Sequence, residues 1–361
     1  MDTPDQAGGA FGFDGTWREY APIAFTNLLL TIVTLGIYRF WATTRSRRYL
    51  WSRTRFIDDR LEWTGTGKEL FLGFLMVLLI LGLPFLFLQF GVQALAMRGM
   101  GGMAAILGVA AFVVIFYFGG VARFRALRYR LGRTYWHGIR GGSNDNGFGY
   151  GISYMWKNLV GMMAFYLLVP WAMISLWNER WNKMSFGPHL FECDAKVAPV
   201  FKRFLLFYLA PFLILIMMFF VAGAVGGFFG GIGVRTSYPP AIAVLVMVVA
   251  VIGIYVLLGL IALAYYSAFL REGIGSLRLA GLKFDFEANT DDWLKLFFGD
   301  VLLVVCTLGI GLIFLQYRHW KFFITHMEAY GEIDLDELTQ STTTLSKHGE
   351  GLLDALDVGA F

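Results

Sequence analysis

Charge is what this chain has least of. Asp, Glu, Lys and Arg make up 16% of its 361 residues, where soluble domains carry about 25%. The deficit excludes an ordinary soluble surface, because it is gathered into four uncharged runs at 70–93, 103–122, 204–234 and 236–270. A bilayer core of about 30 Å takes roughly 20 apolar residues in a helix, and each run is long enough. Cysteine is nearly absent as well. Cys193 lies in a polar segment, Cys306 in an apolar one, and neither has metal-type neighbours, which excludes a disulfide framework and a cysteine metal site. The amino-terminal twenty residues set Asp2, Asp5, Asp14 and Glu19 against Arg18 alone. A cleavable signal opens with basic residues, so the first apolar segment is expected to be retained. P-loop, nucleophile elbow, HExxH and dinucleotide motifs are missing, as is any acid–base or nucleophile constellation. No enzyme, cofactor or metal is expected.

Basic residues, by contrast, are clustered. Arg123, Arg125, Arg128, Arg130, Arg133, Arg140 and Lys157 face only Asp145 in residues 123–157. A nucleic-acid patch is one reading. Beside a membrane span the positive-inside rule makes it a cytoplasmic anchor, and no nucleic-acid partner is expected.

The chain also resembles itself. Sliding residues 11–53 onto 284–326 without gaps matches Phe11 to Phe284, Phe13 to Phe286, Thr34–Ile37 to Thr307–Ile310 as a block of four, and Arg45 to Arg318. A fainter middle copy at a shift of 130 matches Trp41 to Trp171, Trp51 to Trp181, Phe56 to Phe186 and Glu62 to Glu192. Each copy begins strand-like, continues in an apolar segment shorter than the four long runs, and carries a helix breaker: Gly36, Pro170, or Gly309 with Gly311. A basic-aromatic helix follows. The first two copies are expected to close in a hairpin turning at Asp58-Asp59 and at Pro188-His189. Tyr135–Ile139 reads as one further strand. The expected fold is an all-α polytopic membrane protein with four long transmembrane helices, three shorter repeated apolar segments and small cytoplasmic β-hairpins. Its divisions are 1–69, 123–203 and 271–338 for the repeat units, 70–122 and 204–270 for the helix pairs, and 339–361 for a solvated, flexible tail, with Glu332–Leu338 as a short edge element.

Two topologies compete for the shorter segments. Seven plain spans would put Arg180, Lys183, Lys196, Lys202 and Arg203 outside. Segments that dip in and return leave every basic loop on one face, with Arg98 and Arg235 alone outside, in better accord with the positive-inside rule. Either way the carboxyl terminus is cytoplasmic.

Asp300 is the most informative single residue, since an ionisable group within a membrane marks a pathway or a pair; its other reading is an interfacial helix cap. Asn27 holds its place in the first copy. With Thr34 and Thr307, whose hydroxyls could instead serve the backbone at a helix break, these form a candidate intramembrane polar site. Gly223, Gly227 and Gly231 put small residues on one helical face, for close packing. His319 and His326, seven apart, are a weak metal pattern. Arg45, Arg47, Arg48 and Trp51 are candidates for lipid headgroups or a partner, anionic headgroups at the cytoplasmic face being the expected ligands. A second copy of the chain or another membrane protein is the other expected class of partner.

The motif Phe11-x-Phe13-x-Gly15, Asn27, the run Thr34–Trp41 followed by Arg47-Arg48-Tyr49, the segment Tyr135–Arg140 and the closing His326–Gly331 resemble the YjgN-like family of bacterial inner-membrane proteins. The resemblance covers about 11–340 and implies a Gram-negative inner-membrane location, with no activity attached. The middle copy departs from it at Val169-Pro170-Trp171, without the arginine cluster, and the third has Phe314 where the first has Trp41. Two function classes stand: a transporter or channel for a small solute or lipid, with broken helices between repeats, and a non-catalytic scaffold using its basic-aromatic face.

Overall fold

A computed structural model describes residues 9–231, 241–333 and 339–343. Its helices are α1 Trp17–Val33, α2 Arg39–Ser52, α3 Gly67–Val77, α4 Leu83–Met97, α5 Gly101–Arg133, α6 Phe148–Met163, α7 Val169–Trp181, α8 Val197–Gly231, α9 Ala241–Gly275, α10 Thr290–Cys306 and α11 Leu315–Thr325. Helix starts carry their own caps. Thr16 accepts the Glu19 N–H at α1, and Thr66 with Glu69 forms a capping box at α3, satisfying backbone donors that a helix start leaves open.

Three pairs, α1–α2, α6–α7 and α10–α11, are helical hairpins. In each, a strand enters, two helices run out and back, and a strand leaves antiparallel to the first. Phe11 faces Phe56, Gly141 faces Phe186, and Phe284 faces Ala329. These pairings stand 130 and 273 positions apart from the first. The reversals keep the same spacing, with left-handed backbone at Leu35-Gly36 (φ 51° and 91°), Phe165-Tyr166 (52° and 64°) and Leu308-Gly309 (50° and 92°). Both feet of each hairpin are hydrogen-bonded to one another, so they lie on one side and the tip lies at the other. The tips are apolar and bare: Leu35 is 94% exposed, Phe165 86% and Leu308 94%.

Several expectations change here. Pro170 is not a break; it occupies the first turn of α7, where its missing N–H has no helical partner to lose. The break in that hairpin falls at Phe165-Tyr166, without a glycine. Gly311 follows the break, in a 3₁₀ turn over Ile310–Phe314. The β turns fall one residue earlier than expected, at Ile57-Asp58 and Gly187-Pro188, because Phe56 pairs with Asp59 and Phe186 with His189. Tyr135–Ile139 is not one strand but a hairpin, Trp136 facing Ile139. His137 and Gly138 both take positive φ, as a tight two-residue turn needs.

Short third strands tie each hairpin foot to the next. Glu62–Trp63 pairs with Thr134-Tyr135, and Glu192-Cys193 with Leu277-Arg278. The first and third hairpins meet directly. Trp51 stacks on Trp320 at 3.9 Å between ring centroids and Tyr20 on Tyr317 at 5.4 Å. The Tyr317 hydroxyl donates to the Gly15 carbonyl at 2.9 Å, and the Trp320 indole N–H to Thr54 Oγ1 at 2.9 Å. The base is thereby closed on itself. Phe56 sits at its hub, against Phe11 at 4.6 Å, Trp136 at 4.9 Å and Phe284 at 6.4 Å.

Among the described residues three helices are long and apolar enough to cross a membrane: Gly101–Arg133, Val197–Phe220 within α8 and Met247–Gly275 within α9. The expected fourth is not one α-helix. The run at 70–93 divides into α3, a π-helical turn Leu78–Gly82 and α4. Pro84 has no N–H to donate one turn back, and the backbone widens just before it. Of the tail, Ser341 and Thr343 are packed on the base rather than solvated, and exposed Gln340 is hydrogen-bonded to it. Arg140 donates to the Thr343 carbonyl, and Ser341 and Thr343 are both buried. Most of the edge element, 334–338, lies outside the described residues, as does 344–361.

Left-handed backbone costs a residue with a Cβ about 1–2 kcal/mol. Tyr166→Gly is expected to raise stability by about 1 kcal/mol, and Gly309→Val to lower it by at least that much. Thermal unfolding in detergent checks both.

Candidate functional site

Midway along each hairpin, a polar side chain on the outgoing helix meets a partner on the returning one. Asn27, buried in α1, donates through Nδ2 to the Ala42 carbonyl at 3.2 Å and to Ser46 Oγ at 3.3 Å. Lys157 of α6 binds Glu179 of α7 at 2.7 Å, with side chains 10% and 21% exposed. Asp300 of α10 takes Arg318 Nε at 2.5 Å and His319 Nε2 at 2.6 Å, both from α11. Asn27, Lys157 and Asp300 stand at the spacing that also separates the strand pairings and the reversals. Asn27 is ten residues into α1, about 15 Å along it. A buried charge is tolerated only when paired, and here each pair closes within its own hairpin.

Asp300 is therefore neither a helix cap nor a lone carboxylate. Its partner His319 was visible in the sequence only as half of a metal pattern. His326 is elsewhere, its Nδ1 at 2.7 Å from the Phe322 carbonyl. In the sequence Lys157 reads only as part of the basic cluster of residues 123–157. The signal for it existed, because it stands 130 residues after Asn27, but the middle copy was matched there on aromatics.

The two threonines serve the backbone. Thr34 Oγ1 donates to the Leu30 carbonyl at 2.7 Å and accepts the Tyr38 N–H at 2.9 Å. Thr307 Oγ1 donates to Leu303 at 2.6 Å and accepts the Gly311 N–H at 2.6 Å. Each hydroxyl spans a break where helical bonds are lost, and its proton is spent on the backbone. Asn27 and Thr34 belong to the first hairpin, Asp300 and Thr307 to the third. A groove of 530 Å³ between the first and third hairpins reaches Arg318, Lys321 and Thr325, its other walls being mostly aromatic and aliphatic, and neither Asn27 nor Asp300 lines it.

The basic cluster on α2 divides by helical face. Arg45 and Arg48 are exposed. Arg47 is 3% exposed, its guanidinium 5.0 Å from the Trp63 ring centre, and Trp51 is 7% exposed and donates to Thr134 Oγ1 at 2.9 Å. Phe40, Thr44, Arg47 and Trp51 follow the 3.6-residue period onto the buried side. Arg47 and Trp51 therefore hold the base together and do not face headgroups. At Gly223 an added Cβ would meet nothing within 4 Å among the described residues. Gly227 and Gly231 lie in α8, and their surroundings fall outside the described residues. Cys193 is buried at the base, where burial pushes its thiol pKa up, and Ser276 Oγ lies 3.2 Å away. It is a packed thiol, while Cys306 is exposed near a hairpin tip.

Long apolar helices, apolar hairpin tips and a small polar β base define a largely helical membrane protein. The chain belongs to the family described as bacterial proteins of unknown function (DUF898), which it matches over residues 9–355. It is similar to inner membrane protein YjgN of Escherichia coli O157:H7, 24% identical over 249 residues that make up 59% of each chain. It is similar also to YjgN of Escherichia coli strain K12, 29% identical over 140 residues, 39% of this chain and 31% of that one. The YjgN of Salmonella typhimurium strain LT2 is 32% identical over 95 residues, 26% of this chain and 24% of that one. The chain spans 59% or less of the length of these curated relatives. No solved structure matches it.

Breaking a buried pair from one side leaves a charge uncompensated, at about 3–5 kcal/mol. Glu179→Leu is expected to destabilise by roughly that amount, and Lys157→Met added to it to restore most of the loss. Unfolding of the single and double variants in detergent checks the coupling. Additive losses would mean the pair is not the tie.

Proposed function

We propose that this chain is a multi-pass protein of the bacterial inner membrane, built from three copies of one strand–helix–helix–strand unit and acting as a non-catalytic scaffold. In this reading α5, α8, α9 and the α3–α4 run cross the bilayer. The three hairpins enter from the cytoplasmic side and return, and the strand base and carboxyl terminus stay in the cytoplasm. The apolar tips support this placement, because bare Leu, Phe and Val at that density would be unstable in water. So does the paired backbone of the feet, which cannot stand on opposite faces of a membrane. Exposed Arg45 and Arg48 then meet anionic headgroups at the cytoplasmic surface.

One observation carries the choice of scaffold over carrier. The polar groups of the hairpins are spent on partners in the same hairpin, which rigidifies them and leaves few donors for a moving solute. A carrier of a small solute or lipid is the second reading, and what favours it is Asn27 Oδ1, which is buried and has no hydrogen-bond partner.

The placement is tested with cysteines. In a Cys193→Ser chain, Cys306 is expected to react with N-ethylmaleimide but not with a charged, impermeant maleimide from either side of the membrane. Arg98→Cys is expected to label in intact cells, and Glu62→Cys only in inverted vesicles. Labelling of Cys306 from outside would overturn the re-entrant arrangement. The scaffold role is tested in liposomes. The purified protein is expected to leave entrapped solutes and labelled phospholipid where they were, in wild type and Asn27→Leu alike. Flux that Asn27→Leu abolishes would establish the carrier.

A further inference from the structure

The middle hairpin holds a buried cation that pairs with no acid among the described residues. Arg180, in the last turn of α7, is 6% exposed, and its Nε has no hydrogen-bond partner. Its guanidinium lies over the Trp177 ring at 5.4 Å. The adjacent acid, Glu179, is taken by Lys157 at 2.7 Å and by Lys183 at 3.8 Å. Asp145 is taken by Lys183 at 3.0 Å.

What surrounds Arg180 makes its position worse. The charges of Arg123 and Arg130 of α5 act against it and Tyr150 of α6 acts in its favour; the Tyr150 ring stands 6.4 Å from that of Tyr154, the partner of Arg123. Tyr150 is itself 3% exposed. Arg123 donates to the Tyr154 hydroxyl, and its guanidinium lies 4.8 Å from the Tyr154 ring centre. Packing does not require any of this. The matching position in the first hairpin is Leu50 and in the third Phe323, both buried. An arginine there serves no shared structural purpose, and an unpaired buried charge is costly.

We propose that Arg180, Arg123 and Tyr150 form a phosphate-binding site between α5, α6 and α7. Two guanidinium groups and a phenol supply several donors to one tetrahedral dianion or diester, the geometry in which arginine excels. Arg123 follows the apolar part of α5, at the level where the placement above puts cytoplasmic headgroups. The source of the phosphate is therefore an anionic phospholipid or a free phosphate. Only the lipid arm rests on that membrane placement.

The test is thermal unfolding of the full chain in an uncharged detergent, with Arg180→Leu, Tyr150→Phe and an Arg45→Gln control. The probes are inorganic phosphate, dihexanoyl phosphatidylglycerol and dihexanoyl phosphatidylcholine. Without probe, Arg180→Leu is expected to melt above wild type, because an uncompensated charge has gone. With a phosphate-bearing probe, wild type is expected to rise while Arg180→Leu does not move, and Tyr150→Phe should weaken the apparent Kd about ten-fold, as loss of one bond to a charged group does. Arg45→Gln should respond as wild type. A response to inorganic phosphate identifies a free ligand; a response to phosphatidylglycerol alone identifies a headgroup. No response to any probe, or an equal response in Arg180→Leu, overturns the site. The membrane placement would survive that outcome, since it is read by Cys306 labelling.

Discussion

The hydrogen bonds between the two feet of each hairpin are the constraint on which the architecture depends. Once Phe11 faces Phe56 and Phe284 faces Ala329, the chain between them must leave and return on the same side. In the placement proposed above, an apolar segment so held enters and leaves the membrane on one side and cannot stay straight. It must reverse at its far end, and reversal exposes backbone groups that lipid cannot satisfy. The reversals meet this with two devices. Left-handed pairs such as Leu35-Gly36 tighten the turn, and Thr34 or Thr307 lends a hydroxyl to the carbonyl and the N–H freed at the break.

A second consequence concerns adhesion. Two helices in lipid gain little from the hydrophobic effect, since lipid tails are as apolar as leucine. The polar tie supplies what packing lacks, and it does so in three chemistries. Asn27 uses an amide on a carbonyl and a hydroxyl, Lys157 an ammonium on a carboxylate, and Asp300 a carboxylate on a guanidinium and an imidazole. A transport path would demand one chemistry matched to one solute. Variation in the bond alongside constancy in its position is what a mechanical role permits.

Much of this was legible in the sequence, and the failures are instructive. Long helices over three of the four uncharged runs, the Thr34–Ile37 and Thr307–Ile310 blocks and the Phe11 and Phe284 strands appear where composition and spacing put them. Those signals are local, or are repeated identities. The reversal at Tyr166 was hidden because the residue carrying positive φ there is not a glycine, so Pro170 drew attention to the wrong turn. The π turn before Pro84 was hidden because a hydropathy run records length and not hydrogen bonding. Arg47 and Trp51 read as headgroup residues because composition suggests surface; their 3.6-residue spacing with Phe40 and Thr44 already pointed inward. Partners such as His319 for Asp300 depend on how two helices are phased across a turn, and no single segment encodes that.

Position by position, the first and third hairpins agree better with each other than with the second. They share the threonine at the break and a tryptophan contact, Trp51 on Trp320, that closes the base between them. The middle hairpin has neither threonine nor glycine at its turn, carries a lysine where the others carry Asn27 and Asp300, and buries Arg180 where they bury Leu50 and Phe323. Relaxed selection for packing would erode a buried position towards small or polar uncharged residues. It would not install a guanidinium among two other arginines, which is the substitution a low-dielectric interior resists most. A costly residue that the architecture does without in two equivalent places is accounted for by something outside the architecture. Specialised chemistry in this chain is therefore to be sought in the second hairpin and its contact with α5, rather than at the polar positions that all three hairpins use to hold themselves together.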